Sequence, residues 1–270
     1  MAIADLAPAP AGEESYHVSS PYLGASKIST YLKCPRQYEY TYVLRLPTAK
    51  SPQAQAGTVI HRVVRMAHEG RWGTDHAPRA AEVLQALWEE QRGETSDPDH
   101  PQANQTIELA AREWLPWYLH MISKQVDICV EERWQLTIGG VALEGTIDRI
   151  YRERGQVVLS DVKSGARKPT PADLHNDTQL SIYAKAAREL GLREDRAELV
   201  WLRTQERLVT VRTDDYLDAV IEQTVKPVAA AIEAATRVGM FPANPQSKYG
   251  CSFCGYQHLC DVGRGCEQGE

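Results

Sequence analysis

The chain has 270 residues, 43% hydrophobic and 24% charged, a mix that can build a core and excludes wholesale disorder. Its 30 Lys and Arg against 36 Asp and Glu leave a net charge of −6, which excludes a basic protein that coats nucleic acid but leaves room for a local basic cleft. The length suits one or two domains. Met1–Glu14 has neither the basic start nor the apolar run of a secretory signal, and no apolar stretch of about 18 residues could span a membrane, so a cytoplasmic protein is expected.

Residues 1 to about 22 read as a flexible lead. From Ser26, SKISTYLKCPRQYEYTYVLRL reads as a helix capped by Ser26 or Ser29 and kinked or broken at Pro35. Ala54–Glu69 has helical periodicity and stops at Gly70. Pro78–Arg92 and Gln102–Lys124 are further helical stretches, with the turn-rich GETSDPDHPQ between them. The pattern then changes to strands over Val126–Ile138, Val141–Tyr151 and Gln156–Lys163. Gly139-Gly140 is a strong hairpin signal, and Glu153-Arg154, followed by Gly155, is expected to make the second turn. A helix from about Pro171 to Leu190 precedes a strand pair, Glu198–Arg203 and Arg207–Arg212. A long amphipathic helix, Asp214–Val238, leads into a tail that starts at Phe241. This order predicts an α/β (α+β) fold with a small mixed central sheet flanked by helices.

Strand parity brings acids together. A turn at Glu153-Arg154 sets Asp148 opposite Leu159, with Asp161 and then Lys163 further along the same face. A turn at Gly139-Gly140 sets Glu131 opposite Asp148; Glu132 takes that place if the register slips by one. Diagonal neighbours lie roughly 7–8 Å apart at the backbone, close enough for two carboxylates to converge on one ion. Acids on amphipathic strands often just face solvent. Here they follow the apolar run Val157-Val158-Leu159, where like charges are unfavourable without a cation. That favours a divalent site for Mg²⁺ or Mn²⁺ that activates water, with Lys163 stabilising charge on a phosphate.

There are six cysteines. In a reducing compartment they are not expected to form structural disulfides. The spacing Cys251-x2-Cys254-x5-Cys260 supplies three soft ligands of a tetrahedral site. The fourth is open among Cys266, His258 and the remote Cys34, and the ligands alone do not choose between iron and zinc. Cys129, on the first strand, reads as a core thiol.

Asp148 in GTIDRI and Asp161-Val162-Lys163 on the next strand resemble the core motif of the PD-(D/E)XK nuclease superfamily. Gly57-Thr-Val-Ile-His61 resembles the GxxxH motif of its RecB-like branch, and Gln179-Leu-Ser-Ile-Tyr183 the QxxxY motif. SKISTYLKCPRQYEYTYV resembles that branch's opening segment. The resemblance runs from about Ser26 to Cys260; the middle acid is Asp161 rather than Glu, and both occur in the superfamily. It implies a restriction-endonuclease-like core in one domain over 23–265: a helical portion at about 54–124, a nuclease core at about 126–212, and a tail at 241–260 closed by Cys34.

The resemblance also implies roles. His61, Asp148 and Asp161 would hold the metal with the Val162 carbonyl. Lys163 would be the catalytic base or charge stabiliser, and Gln179 and Tyr183 would contact DNA or support the site. The iron–sulfur members of the branch, among them AddB-type and CRISPR-associated exonucleases, take one cysteine from an N-terminal helix and three from the C-terminus. Cys34, Cys251, Cys254 and Cys260 would then hold a [4Fe-4S] cluster, with structural Zn²⁺ the alternative and Cys266 a bystander. The implied activity is a metal-dependent DNA exonuclease on single strands or DNA ends, in recombination, repair or phage DNA metabolism. A CRISPR adaptation nuclease that trims DNA before integration, or a non-catalytic DNA-end-binding module, would carry the same motifs. Lys33, Arg36, Arg62 and Arg65 either line a DNA path or form solvated helix faces. No GxxxxGK[ST] motif is present, so a helicase or integrase partner would be a separate protein.

Overall fold

In the computed structural model, residues 22–48, 51–93, 100–246, 251 and 254–265 are described. The expected N-terminal lead, most of the segment 93–102 and Cys266 lie outside them. Two residues, Leu23–Gly24, form strand β1. Helix α1 (Ala25–Lys33) starts directly after them, with Gly24 at its cap position and no side-chain cap; neither Ser26 nor Ser29 serves there. Pro35 breaks the helix instead of kinking it. Cys34 is extended, and Pro35 begins α2 (Pro35–Tyr38), where its missing N–H leaves no donor unpaired.

Helix α3 (Pro52–Glu69) is capped by Ser51, whose side chain accepts from the Ala54 N–H. With α4 (Ala77–Gly93), α5 (Pro101–Leu109) and α6 (Leu115–Ile122) it forms a helical layer. A π-helical turn, Ala110–Trp114, joins α5 to α6. Val63, Leu84, Ile107, Trp114 and Leu119 pack there against Val162 and Val200 of the sheet and Leu202 just after it. Among the described residues no helix is long and apolar enough to cross a membrane.

The sheet holds β1 with β2 (Val126–Ile138), β3 (Val141–Glu153), β4 (Gln156–Lys163), β5 (Arg196–Trp201) and β6 (Glu206–Thr210). Its order is β1-β3-β4-β5-β6, with β2 also on β3. β4 and β5 are parallel, joined by a crossover through α7 (Pro171–His175) and α8 (Thr178–Glu189). One helix was expected over that crossover. It splits because Asp177 stops the first and caps the second, its Oδ1 accepting from the Leu180 N–H at 2.7 Å. Helices α9 (Asp214–Val220) and α10 (Lys226–Val238), bridged by a π-helical turn, replace the expected single long helix. The second face of the sheet carries its own core, with Ile147, Leu159 and Leu199 against Ile28, Tyr38, Leu180, Ile221 and Phe241. The result is a mixed α/β architecture with a sheet between helical layers.

The first hairpin turns at Gly139-Gly140, both at positive φ, with Ile138 paired to Val141. The second departs from expectation. Its turn is Arg154-Gly155, both at positive φ, and Glu153 pairs with Gln156. A two-residue hairpin turn of this kind needs φ > 0 at both central positions, which Gly155 meets without strain and Glu153 would not.

Candidate active site

The β3–β4 ladder runs from Glu153↔Gln156 to Arg149↔Ser160. One further step in that register sets Asp148 opposite Asp161, not Leu159 opposite Asp148 as expected. The ladder gives way at this step. The Val162 N–H donates instead to Asp148 Oδ2 at 3.3 Å. On its other side β4 stays paired with β5 through Asp161↔Leu199 and Lys163↔Trp201, so the backbone under Asp161 is fixed at the carboxyl end of a parallel pair, where such folds bind ligands.

Asp161 is only 2% exposed. Gln179, in the first turn of α8, donates from Nε2 to Asp161 Oδ1 at 3.1 Å. Lys163 Nζ lies 2.7 Å from Oδ2 without forming a well-directed hydrogen bond to it. Burial raises the Asp148 carboxyl above its usual range, and the Lys163 charge and the Val162 N–H only partly offset this. Burial, aided by Asp148, pushes Asp161 up to about 7. Burial works against the Lys163 ammonium, but Asp161 and Asp148 outweigh it and hold the group above its ordinary value. Burial and the Lys163 charge hold His61 below its ordinary value. Two neighbouring acids that burial raises even with the Lys163 ammonium beside them are oxygen donors that a divalent ion would favour in their charged form, so the pair fits such an ion.

His61 feels the charges of Lys163 and Asp161. Glu131 occupies the register step opposite Asp148, between Val130↔Arg149 and Glu132↔Ile147, which decides for Glu131 over Glu132. It repels Asp148 electrostatically, and it sits at φ 51°, a left-handed conformation inside a strand that stores strain of a kind found at functional sites. Among the described residues no three His, Cys, Asp or Glu side chains are already closed around a point that could hold a metal.

Tyr183, one helical turn after Gln179, is hydrogen-bonded to it and to the Thr146 backbone, and burial followed by the two acids pushes its phenol up to about 12. Its ring meets Trp134 edge-on, centroids 6.1 Å apart. Neither Trp134 nor Gly145 was legible as part of the site, although Gly145 stands three residues before Asp148 in the same strand. A Cβ on Gly145 would lie 2.7 Å from Trp134 Cζ2 and 2.9 Å from Tyr183 Cε1. Gly145→Ala is therefore expected to cost about 1–3 kcal/mol of stability by overpacking and to lower activity by pushing Tyr183 off Gln179. Urea unfolding and a cleavage rate on one preparation check both.

Cys34, Cys251, Cys254 and Cys260 all line one cavity, together with Lys33 and Arg36. Cys34 Sγ accepts from the Asn244 N–H at 3.3 Å, and Asn244 Nδ2 donates to Lys33 O at 3.1 Å. The Tyr256 hydroxyl donates to Leu46 O at 3.1 Å. These bonds seat the C-terminal tail on the N-terminal helices. His258 is not among the residues lining the cavity, and Cys129 packs partly buried against the sheet core. The four basic candidates do not form one track. Lys33 and Arg36 face the cysteine cavity, with Arg36 paired to Glu39 at 3.0 Å. Arg65 pairs with Glu69 at 3.6 Å, and Arg62 is exposed on α3.

A hairpin that sets two buried acids and a lysine at a strand end, with a glutamine behind them on the crossover helix, defines a nuclease-type core. The family model of the PD-(D/E)XK nuclease superfamily matches residues 22–261, and the chain belongs to that superfamily. Among solved structures, a candidate exonuclease of Eubacterium rectale is similar at 14% identity and a TM-score of 0.51, over 93% of this chain and 92% of that one. The crystal structure of SSO0001 aligns at 12% identity and a TM-score of 0.39, over 92% and 90%. The first of these likenesses concerns the fold alone. No curated protein matches the chain.

Proposed function

We propose that the chain is a divalent-metal-dependent DNA exonuclease that hydrolyses phosphodiester bonds on single strands or at DNA ends. The observation that carries this reading is the buried Asp148–Asp161 pair with Lys163 beside it and Gln179 holding Asp161 in place. Asp148, Asp161, His61 and the Val162 carbonyl would hold Mg²⁺ or Mn²⁺, with Glu131 as a further acid. The bound ion supplies positive charge at the phosphate and activation of the attacking water. Lys163 carries charge on the phosphate oxygens. Gln179 fixes the Asp161 carboxyl, and Tyr183 fixes Gln179. Water adds to phosphorus and one P–O ester bond breaks, leaving a phosphate end and a hydroxyl end. The acids and the lysine are all in place, which favours an enzyme over a binding module that has lost them.

Strands labelled at the 5′ or the 3′ end, as single strands and duplexes, test this directly. Stepwise loss of terminal nucleotides with Mn²⁺ or Mg²⁺ and none with EDTA is expected. Nicking of a closed circle would overturn the exonuclease assignment, and no cleavage of any substrate would overturn the enzyme. Because protons compete for the acid pair, metal affinity is expected to weaken as pH falls below about 7; calorimetric Mn²⁺ titrations at pH 6 and pH 8 measure it.

The four thiols around one cavity support a [4Fe-4S] cluster on Cys34, Cys251, Cys254 and Cys260 as part of the same proposal. Structural Zn²⁺ is the alternative. Anaerobic purification followed by a visible spectrum and iron and zinc assays separates the two; a colourless, zinc-loaded protein would remove the cluster.

A further inference from the structure

Beside the acid pair, a cleft of about 450 Å³ opens along the β2–β3 hairpin, lined by Arg133, Trp134, Gln135, Glu144, Gly145 and Thr146. It begins one side chain away from the metal-site acids. Tyr183, bonded to Gln179 and close enough to feel Asp161 and Asp148, packs against Trp134 at Gly145. The cleft falls in the size range of small-ligand sites, and its walls are largely polar.

The charges in the cleft are unevenly committed. Glu144 is already engaged, by Lys27 Nζ at 3.4 Å and by Gln135 Nε2 at 3.3 Å. Arg133 is exposed and has no ion-pair partner among the described residues. Trp134 is only 5% exposed, yet its Nε1 is buried with no acceptor, an arrangement that native interiors rarely leave. That N–H has no access to solvent and belongs to the core face of the strand, so what the cleft presents is the exposed Arg133 guanidinium, which acts electrostatically on Glu131 beside the acid pair. Phosphate oxygens are the acceptors that complement a guanidinium, which can meet them in bidentate fashion.

We infer that this cleft is the subsite for the nucleotide next to the scissile phosphate, with Arg133 on its flanking phosphate. The inference rests on the nuclease reading and adds to it where the strand lies. A phosphate contact positions the strand without reading bases, so the effect should not depend on sequence.

The test compares wild type, Arg133→Ala and Arg133→Lys on two substrates: a labelled single strand of mixed sequence, and thymidine 5′-monophosphate p-nitrophenyl ester, which has no flanking nucleotide. Arg133→Ala is expected to raise KM on the strand about tenfold with kcat little changed, and to leave the ester unaffected. The slope of log affinity against log salt should flatten by about 0.7, the share of one phosphate contact on a single strand. Arg133→Lys should restore most of the loss. Equal losses on both substrates, or an unchanged KM and salt slope on the strand, would overturn the subsite. Fluorescence anisotropy of the same strand in EDTA reads the cleft independently of cleavage. If wild type cuts neither substrate, the nuclease reading has failed, and the anisotropy difference between wild type and Arg133→Ala still decides the subsite.

Discussion

Asp161→Asn is expected to lower kcat about a thousandfold or more while making the metal-free protein more stable than its parent at neutral pH. The loss of rate follows from position. Asp161 sits between Gln179 and Lys163, next to Asp148; without its charge the site no longer concentrates a divalent ion, whose charge stabilisation is worth several kcal/mol, at about 1.36 kcal/mol per tenfold in rate. The gain in stability follows from the same burial. An unfolded Asp titrates near 4, whereas Asp161 in the fold is pushed up to about 7. Between those values the folded chain binds more protons than the unfolded one, so stability from this group falls as pH rises through that window and stays low above it. The neutral amide removes this group's share of the dependence. Melting temperatures from pH 5 to pH 8 in EDTA should decline for the parent and flatten for the variant, and added Mn²⁺ should raise only the parent. A variant that melts lower than the parent at pH 8 in EDTA, or that keeps its cleavage rate, would refute the account.

The alternation of β2, β3 and β4 makes the acid pair legible in the sequence. Gly139-Gly140 fixed the first register. The second turn was misplaced because Arg154 takes a positive φ, and nothing in the local run Glu153-Arg154-Gly155 distinguishes an arginine that accepts this strain from one that does not. The resulting slip preserved the face. Asp148 and Asp161 stayed on one side of the sheet and came to lie opposite each other instead of diagonally. The split of the crossover helix was readable in principle, since Asp177 is a good N-cap, but the apolar period runs through it and hides the break.

What could not be read was contact between segments far apart in the chain. Gly145 looks like an ordinary strand glycine until Trp134 and Tyr183 are seen to converge on it. The place of Lys33 and Arg36 at the cysteine cavity rather than on a DNA path depends on how the tail folds back over the first helices. Short two-residue pairing such as β1 carries no periodicity at all. Motif residues were legible because the chemistry restricts which residue types can serve; the residues that shape space around them were not, because many types can fill space and only the packing selects one.

The same distinction governs the cysteines and makes Cys34→Ser the sharper stability test. Two origins for the tail's attachment predict very different losses. If the attachment is only the Asn244 N–H to Cys34 Sγ contact, serine can accept the same bond, and the cost is about 1 kcal/mol or less. If Cys34 shares a metal centre with Cys251, Cys254 and Cys260, the bond closes a loop of most of the chain, and a crosslink over a loop longer than 100 residues is worth about 5 kcal/mol on the chain-entropy scale. The expected result for Cys34→Ser is therefore loss of bound metal, loss of any visible absorbance, and a fall of about 5 kcal/mol in unfolding free energy by urea titration. Asp161→Asn, which leaves all four thiols in place, should keep its metal-centre spectrum under the same conditions, so the two sites separate cleanly. A Cys34→Ser protein with an unchanged metal content and a urea midpoint close to the parent's would show that the tail is held by its hydrogen bonds alone.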